Sequence, residues 1–346
     1  MNTKVFSALS FLLLLSSAAF TQRSRTDFNQ GWKFRLDSVQ QYNSADVNDA
    51  GWRTLNLPHD WSIELPFDST SPTGNGGGAL RGGMGWYRKT FLLPEEDKFK
   101  NIFINFDGVY HNSEVWINGQ SMGVRPNGYI SFRYDLTPYV KYGTEKNVIA
   151  VKVDNQKQPN SRWYSGSGIY RDVRLEKTNP VHIDNWGTFV TTPVVTAKEA
   201  TVVILTKTIP EGNTQLRLFT RILDANGKVV AQSNHLANIT GNDTKQTLKV
   251  LQPKLWSVDK PYLYKVISEV KSGPQVMDSY ETTFGIRYFN FDKDKGFSLN
   301  GKPLKILGVC NHHDLGALGT AFNIRAAERQ LEILKAMGCN GIRTSH

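Results

Sequence analysis

Lys305-Ile306-Leu307-Gly308-Val309-Cys310-Asn311-His312-His313-Asp314 and, further on, Cys339-Asn340-Gly341-Ile342-Arg343-Thr344-Ser345-His346 bracket the segment that decides the fold. Each opens on an apolar run of strand character and closes on polar residues. Between them Ile324, Ala327, Leu331 and Leu334 recur at spacings of 3, 4 and 3, the period of one helix face. Asn323 is placed to cap the start of that helix and Gly338 to end it. Strand, helix and parallel strand make a βαβ unit. A complete (β/α)8 barrel takes about 250 residues, and only about 60 remain from position 286 onward. Residues 286–346 therefore read as the truncated start of a TIM barrel, with 305–310 a buried strand and 339–343 its parallel neighbour.

Upstream the hydrophobic period is two, not 3.6. Gly31-Trp32-Lys33-Phe34-Arg35-Leu36 alternates, as do Glu114-Val115-Trp116-Ile117 and Asn147-Val148-Ile149-Ala150-Val151-Lys152-Val153. Asn118-Gly119 supplies a hairpin turn, and Gly, Asn and Asp punctuate the whole stretch up to Lys177. This spacing predicts an all-β sandwich for 23–179. A second set of short strands, around 202–205, 216–220 and 263–267 with a turn at Asp224-Ala225-Asn226-Gly227, suits one immunoglobulin-like sandwich over 180–285. No pocket chemistry stands out there, so it reads as a spacer.

Four segments, in order, resemble the sugar-binding jelly roll of glycoside hydrolase family 2, which contains β-galactosidases, β-glucuronidases and β-mannosidases. They are Trp52-Arg53-Thr54-Leu55-Asn56-Leu57-Pro58-His59-Asp60-Trp61, Gly85-Trp86-Tyr87-Arg88-Lys89-Thr90-Phe91, Phe106-Asp107-Gly108-Val109 leading into Val115-Trp116-Ile117-Asn118-Gly119, and Arg162-Trp163-Tyr164-Ser165-Gly166-Ser167-Gly168-Ile169-Tyr170-Arg171-Asp172-Val173. Leu255-Trp256-Ser257 with Pro261-Tyr262-Leu263-Tyr264 and the closing Asn340-Gly341-Ile342-Arg343-Thr344-Ser345-His346 resemble two further motifs of that family. The resemblance implies a mainly β chain: a jelly-roll sugar-binding sandwich, an immunoglobulin-like sandwich, then the start of the barrel.

It also implies a retaining exo-glycosidase whose acid and nucleophile are both Glu, set about 5–5.5 Å apart. Both glutamates are expected beyond His346, so this chain alone is expected to be inactive. His-His-Asp-Leu-Gly and Ser-Arg-Trp-Tyr-Ser-Gly-Ser-Gly-Ile look most like the β-galactosidase branch. β-Glucuronidase and β-mannosidase stay open, as does a non-catalytic carbohydrate-binding protein.

Barrel enzymes place their working residues at the C-terminal ends of the strands. Asn311, His312, His313 and Asp314 follow the first strand, and Thr344, Ser345 and His346 the second, so these groups are expected on one rim. The family carries sugar-binding histidines where His312 and His346 stand, and an Arg beside the nucleophile where Arg343 stands. A guanidinium there keeps a carboxylate ionised. His313 departs from the family, where several relatives have an acidic residue. Arg162 and Trp163 belong to a loop that in relatives approaches the barrel mouth, and strand packing is the equal alternative. The glycine-rich run at 74–83 lacks the Lys-Ser/Thr ending of a phosphate loop and is expected over the substrate mouth instead.

The bulk numbers restrict the alternatives. The net charge is +10, but Lys and Arg are scattered among acidic residues, so no nucleic-acid partner is expected. The His-His-Asp run has no further ligands at a fixed spacing, so neither a metal nor another cofactor is expected. A lysine at position 4, an apolar run over 5–15 and Ser17-Ala18-Ala19 read as a cleaved secretory signal over 1–22, which places the protein outside the cell or in a periplasm. That run is too short to span a bilayer, and no Cys follows it to hold a lipid anchor. The two cysteines, Cys310 and Cys339, sit in apolar runs and are expected as free, buried thiols. The expected partner is a carbohydrate substrate, and the full-length protein has room to be a homo-oligomer.

Overall fold

The structure is a computed structural model and describes residues 23–38, 40–211, 215–238 and 243–344. The secretory signal expected over 1–22, and His346, lie outside the described residues. Among the described residues no helix is long and apolar enough to cross a membrane.

The first sandwich packs a six-stranded sheet on a four-stranded one. The larger runs Arg53–Leu55, Trp32–Leu36, Gly83–Phe91, Asn147–Asn155, Ser113–Ile117, Gln120–Arg125. The smaller runs Ser24–Asp27, Val173–Thr178, Asn101–Phe106, Phe132–Asp135. Every pairing in both is antiparallel. Between them lie Trp32, Phe34, Trp61, Tyr87, Ile104, Phe106 and Val151. Asn118 and Gly119 both take positive φ, 51° and 85°, which is what a tight hairpin with right-handed strand twist demands.

Strand Gly83–Phe91 is buried on both faces. Tyr87 points into the main core, while Trp86 joins Tyr42, Trp52 and Trp116 in a second apolar layer outside the larger sheet. Arg88 is held in that outer layer at 1% exposure, its Nε donating to Asp49 at 3.0 Å and its Nη1 to the carbonyls of Tyr42 and Ser44 at 2.6 and 2.8 Å. A buried guanidinium is tolerated only when its donors are satisfied in this way.

The second sandwich pairs His182–Val195, Glu199–Ile209 and Thr244–Leu251 in one sheet. The other holds Val229–Leu236, Arg217–Leu223, Tyr264–Ser272 and Gln275–Phe284. Thr244–Leu251 alternates buried and exposed at every residue, the mark of a strand with one face on the core. Charges rivet this sandwich to the first. Arg23 pairs with Glu176 of the jelly roll and, at 2.9 Å, with the fully buried Asp278, while Arg133 reaches Asp184 at 3.1 Å.

The last segment contains the expected parallel pair. Gly308–Asn311 lies beside Gly341–Thr344, with Gly308 opposite Gly341 and Asn311 opposite Thr344. Helix Ile324–Ala336 connects them. Asn323 caps it by accepting from the Ala326 amide at 3.0 Å, and Gly338, at φ 98°, closes it. The start of the first strand, its burial and the burial of the two cysteines need correction. The first strand starts at Gly308, not Lys305, and is not buried: Ile306 and Leu307 are 54% and 50% exposed. On the helix, Ile324 and Leu331 are exposed as well. The physical reason is that this sheet has two strands, so its apolar groups find little cover within the chain. For the same reason Cys310 is exposed and Cys339 half-buried, although both are free thiols.

Candidate active site

The paired strand ends place Asn311 and Thr344 side by side, and both line a cavity of about 470 Å³. His312 and His313 follow directly and line it too. Its opposite wall is the jelly roll, through Tyr129, Tyr170 and Arg171. Trp163 and His312, far apart in sequence, meet with ring centroids 6.1 Å apart at 73°. Trp163 Nε1 donates to the Tyr129 hydroxyl at 3.1 Å, and Tyr129 and Tyr170 lie 5.5 and 5.6 Å from the His313 ring. The jelly-roll loop and the first barrel strand end therefore form one aromatic and imidazole wall.

Two other expected site residues stand apart. Arg162 is exposed and makes no ion pair among the described residues; its backbone packs against Gly76 of the glycine-rich run. That run is a series of turns, with Ala79 donating to the Gly74 carbonyl at 2.8 Å. Arg343 lies on the strand face opposite Thr344, as period-two alternation requires. Its Nη1 is 3.6 Å from Cys310 Sγ, and both line a separate apolar cavity of about 740 Å³ with Phe289 and Phe291.

Asp60, in the Trp52–Trp61 segment, is a site residue that no local sequence pattern marks. It is 2% exposed. Its Oδ1 accepts from the amides of Ser62 and Ser167 at 3.0 and 2.9 Å. Its Oδ2 accepts from the Tyr164 hydroxyl at 2.6 Å, the Thr320 amide at 2.9 Å and the Thr320 hydroxyl at 3.1 Å. One carboxylate thus ties the jelly roll to the loop that follows the first barrel strand. A Cβ at Gly166 would collide with the Thr320 hydroxyl, and one at Gly319 with Asp60 itself, so the close approach needs both glycines. The Phe322 amide donates a hydrogen bond to the Tyr170 carbonyl at 2.9 Å, and the Arg171 guanidinium lies over the Phe322 ring.

Burial pushes the Tyr164 hydroxyl well up, with the Asp60 charge adding to it, and pushes Tyr170 up to about 12. Burial also lowers His313 below its ordinary value, so it is neutral at pH 7. Among the described residues neither of its ring nitrogens finds a hydrogen bond of good geometry, although the Ser165 backbone stands close enough to oppose part of the burial effect.

His59, His111 and His182 are lowered by burial in the same way. As pH falls, the unfolded chain, with histidines near 6.5, takes up these protons before the folded one does. Stability present at pH 7 is therefore expected to be lost progressively below pH 6.5. Melting temperatures between pH 7.5 and 5 test this: they should fall, and His313→Asn should flatten part of the slope. A flat profile in the parent chain would refute it.

Aromatic walls offer a surface for the C–H faces of a sugar, while His312, Asn311 and Thr344 offer hydrogen bonds to hydroxyls. The described residues lining this cavity include no Asp or Glu. Among the described residues no group of three or more His, Cys, Asp or Glu is placed to hold a metal ion.

Comparison with known proteins decides the family. Three family models cover the chain in succession: the sugar binding domain of glycosyl hydrolases family 2 over residues 27–179, the family 2 domain over 181–287, and the family 2 TIM barrel domain over 292–346. This chain belongs to glycoside hydrolase family 2. A Bacteroides ovatus relative in the family, Beta-galactosidase BoGH2A, is 52% identical over 96% of this chain and 39% of its own length. A Formosa agariphila β-glucuronidase is 36% identical over 94% of the chain and 36% of its own length. The crystal structure of a family 2 member from Bacteroides cellulosilyticus superposes with a TM-score of 0.90 at 41% identity, covering 93% of this chain and 43% of that one. The chain thus spans about two fifths of the length of the family members it matches.

Proposed function

We propose that this chain supplies the sugar-binding, spacer and first barrel segments of a retaining exo-glycosidase that hydrolyses terminal β-D-galactosides. The observation that carries the choice of sugar is the 52% identity to a β-galactosidase along 96% of the chain. Support from the site is the junction of Trp163 and Tyr129 with His312 beside an open cavity. In this reading His312 and His346 bind hydroxyls of the sugar at the cleavage point. Trp163 borders the mouth, Arg162 reaches substrate from the exposed loop beside it, and Arg343 orients the nucleophile. The acid and nucleophile glutamates come from outside this chain, one protonating the leaving oxygen and the other attacking the anomeric carbon. The chain alone is then inactive, and the protein works after secretion, outside the cell or in a periplasm.

The second reading, a β-glucuronidase, is favoured by relatives of that activity, the Formosa agariphila protein among them. Assaying the complete gene product on chromogenic β-D-galactoside, β-D-glucuronide and β-D-mannoside separates these. The galactoside should be turned over with the highest kcat/KM. Preference for the glucuronide by about tenfold or more, a gap of about 1.4 kcal/mol, overturns the proposal.

A further inference from the structure

The smaller jelly-roll sheet has an outer face as well as a core face. Pairing registers align Asp27, Arg174 and Asn105 in one row across three strands, while the adjacent row of Leu175, Ile104 and Tyr134 points into the core. At one end this outer face is closed by the second sandwich, through Arg23, Glu176 and Asp278. At the other end it opens into a cavity of about 540 Å³ that shares no lining residue with the candidate active site. Its walls carry Asp27, Asn105, Asp107 and Arg174 from the jelly roll and Asn185 and Trp186 from the second sandwich. Junctions between domains are where small-molecule sites concentrate, and the volume falls within their usual range of about 300–1,000 Å³.

Trp186 is 69% exposed, an unusual state for the largest apolar side chain. It stands where pairing of its strand with Glu199–Ile209 slips between Ile183 and Thr188, and its φ is 51°. Non-glycine residues rarely take that conformation, and such irregularities re-aim a side chain. Here the indole is set at the cavity wall. Within the cavity, Arg174 pairs with Asp107 and, at 2.8 Å, with Asp172, so its charge is already met. Among the described residues the Asn105 amide nitrogen has no hydrogen-bond partner, which leaves it as an unmet donor beside the cavity. The lining holds three Asp against Arg25 and Arg174, and both Arg are already paired, so the cavity offers no free cation to an anionic ligand. Acceptors, donors and one aromatic plane match a neutral sugar: hydroxyls meet the carboxylates and amides, and a C–H face lies on the indole.

We propose that this cavity is a second carbohydrate-binding site, taking a neutral oligosaccharide on Trp186, separate from the candidate active site and independent of which glycoside is cleaved. The test titrates the full chain carrying His312→Ala, which weakens the candidate active site, with β-1,4-galactotriose, xylotriose and cellotriose. Binding is followed by calorimetry and by indole fluorescence. At least one sugar should bind with one-to-one stoichiometry. Adding Trp186→Ala should weaken it by about tenfold or more, and Trp186→Tyr, which keeps an aromatic plane, by less than about threefold. Trp186 is too exposed for these changes to unfold the chain. Equal affinity with and without Trp186→Ala overturns the proposal, as does failure of all three sugars to bind. Sedimentation supplies a further arm: if Trp186→Ala turns a dimer into a monomer and no sugar binds, the indole belongs to a contact with a second copy of the chain.

Discussion

Asp60→Ala is expected to free the loop 315–322 from the jelly roll and to cost about 3–5 kcal/mol, the loss expected when several buried neutral donors lose one shared acceptor at about 1–3 kcal/mol each and part of the sum relaxes away. Five donors point at this carboxylate: the amides of Ser62, Ser167 and Thr320 and the hydroxyls of Tyr164 and Thr320. Alanine leaves all of them facing a small void. Each buried donor left unmet costs about 1–3 kcal/mol, and the hydroxyls can partly turn away, which keeps the total below the sum. Asp60→Asn keeps the shape but puts an amide group where one oxygen accepted, so an intermediate loss is expected. Hydrogen exchange reads the effect locally. The Thr320 and Phe322 amides should exchange much faster in Asp60→Ala, while amides of the second sandwich, such as those in Glu199–Ile209, should not change. Unchanged protection at Thr320 would show that the loop is held by other contacts.

In the complete enzyme, His312→Ala and Arg343→Ala should fail in different ways. Loss of a hydrogen bond to a substrate hydroxyl costs about 1–3 kcal/mol, roughly 5- to 150-fold in kcat/KM. More of it should fall on kcat if the contact tightens in the oxocarbenium-like transition state. Arg343→Ala removes a positive charge from the neighbourhood proposed for the nucleophile. A carboxylate that loses such a neighbour has a higher pKa, so the acidic limb of the pH–rate profile should move to higher pH. His312→Ala should leave that limb in place. The reverse pattern, with the limb shifted by His312→Ala and fixed in Arg343→Ala, exchanges the two roles. The structure already separates the two side chains, since His312 lines the cavity shared with the jelly roll and Arg343 the apolar cavity on the other face.

Local features of the fold were the most legible in the sequence. The alternation at Trp32–Leu36 and Asn147–Asn155, the Asn118-Gly119 turn and the Asn323 cap each depend on neighbours within a few positions, and each is present. The parallel pairing of Gly308–Asn311 with Gly341–Thr344 was legible because strand, helix and strand leave few ways to connect. Burial was misjudged at Ile306, Leu307 and Cys310. Apolar character shows what a side chain needs, not whether the same chain supplies the cover. Asp60 was invisible for another reason. Its partners Tyr164 and Thr320 lie 104 and 260 positions away, and no local pattern marks a contact of that range. The meeting of Trp163 with His312 was approached only through family resemblance, and the second cavity wall at Tyr129 and Tyr170 had no signal of its own.

The fit around Gly166 and Gly319 bears on how family 2 proteins can be recombined. A Cβ at either position collides across the seam between the jelly roll and the barrel loop, so the two surfaces are matched as a lock is to one key. A chimera that joins this jelly roll to the barrel of a relative would keep its seam only if the donor barrel brings a glycine and a threonine at the positions of Gly319 and Thr320. The natural crossover point for such exchange is therefore not the linker between domains. It is a paired cut that carries Asp60, Gly166, Gly319 and Thr320 together.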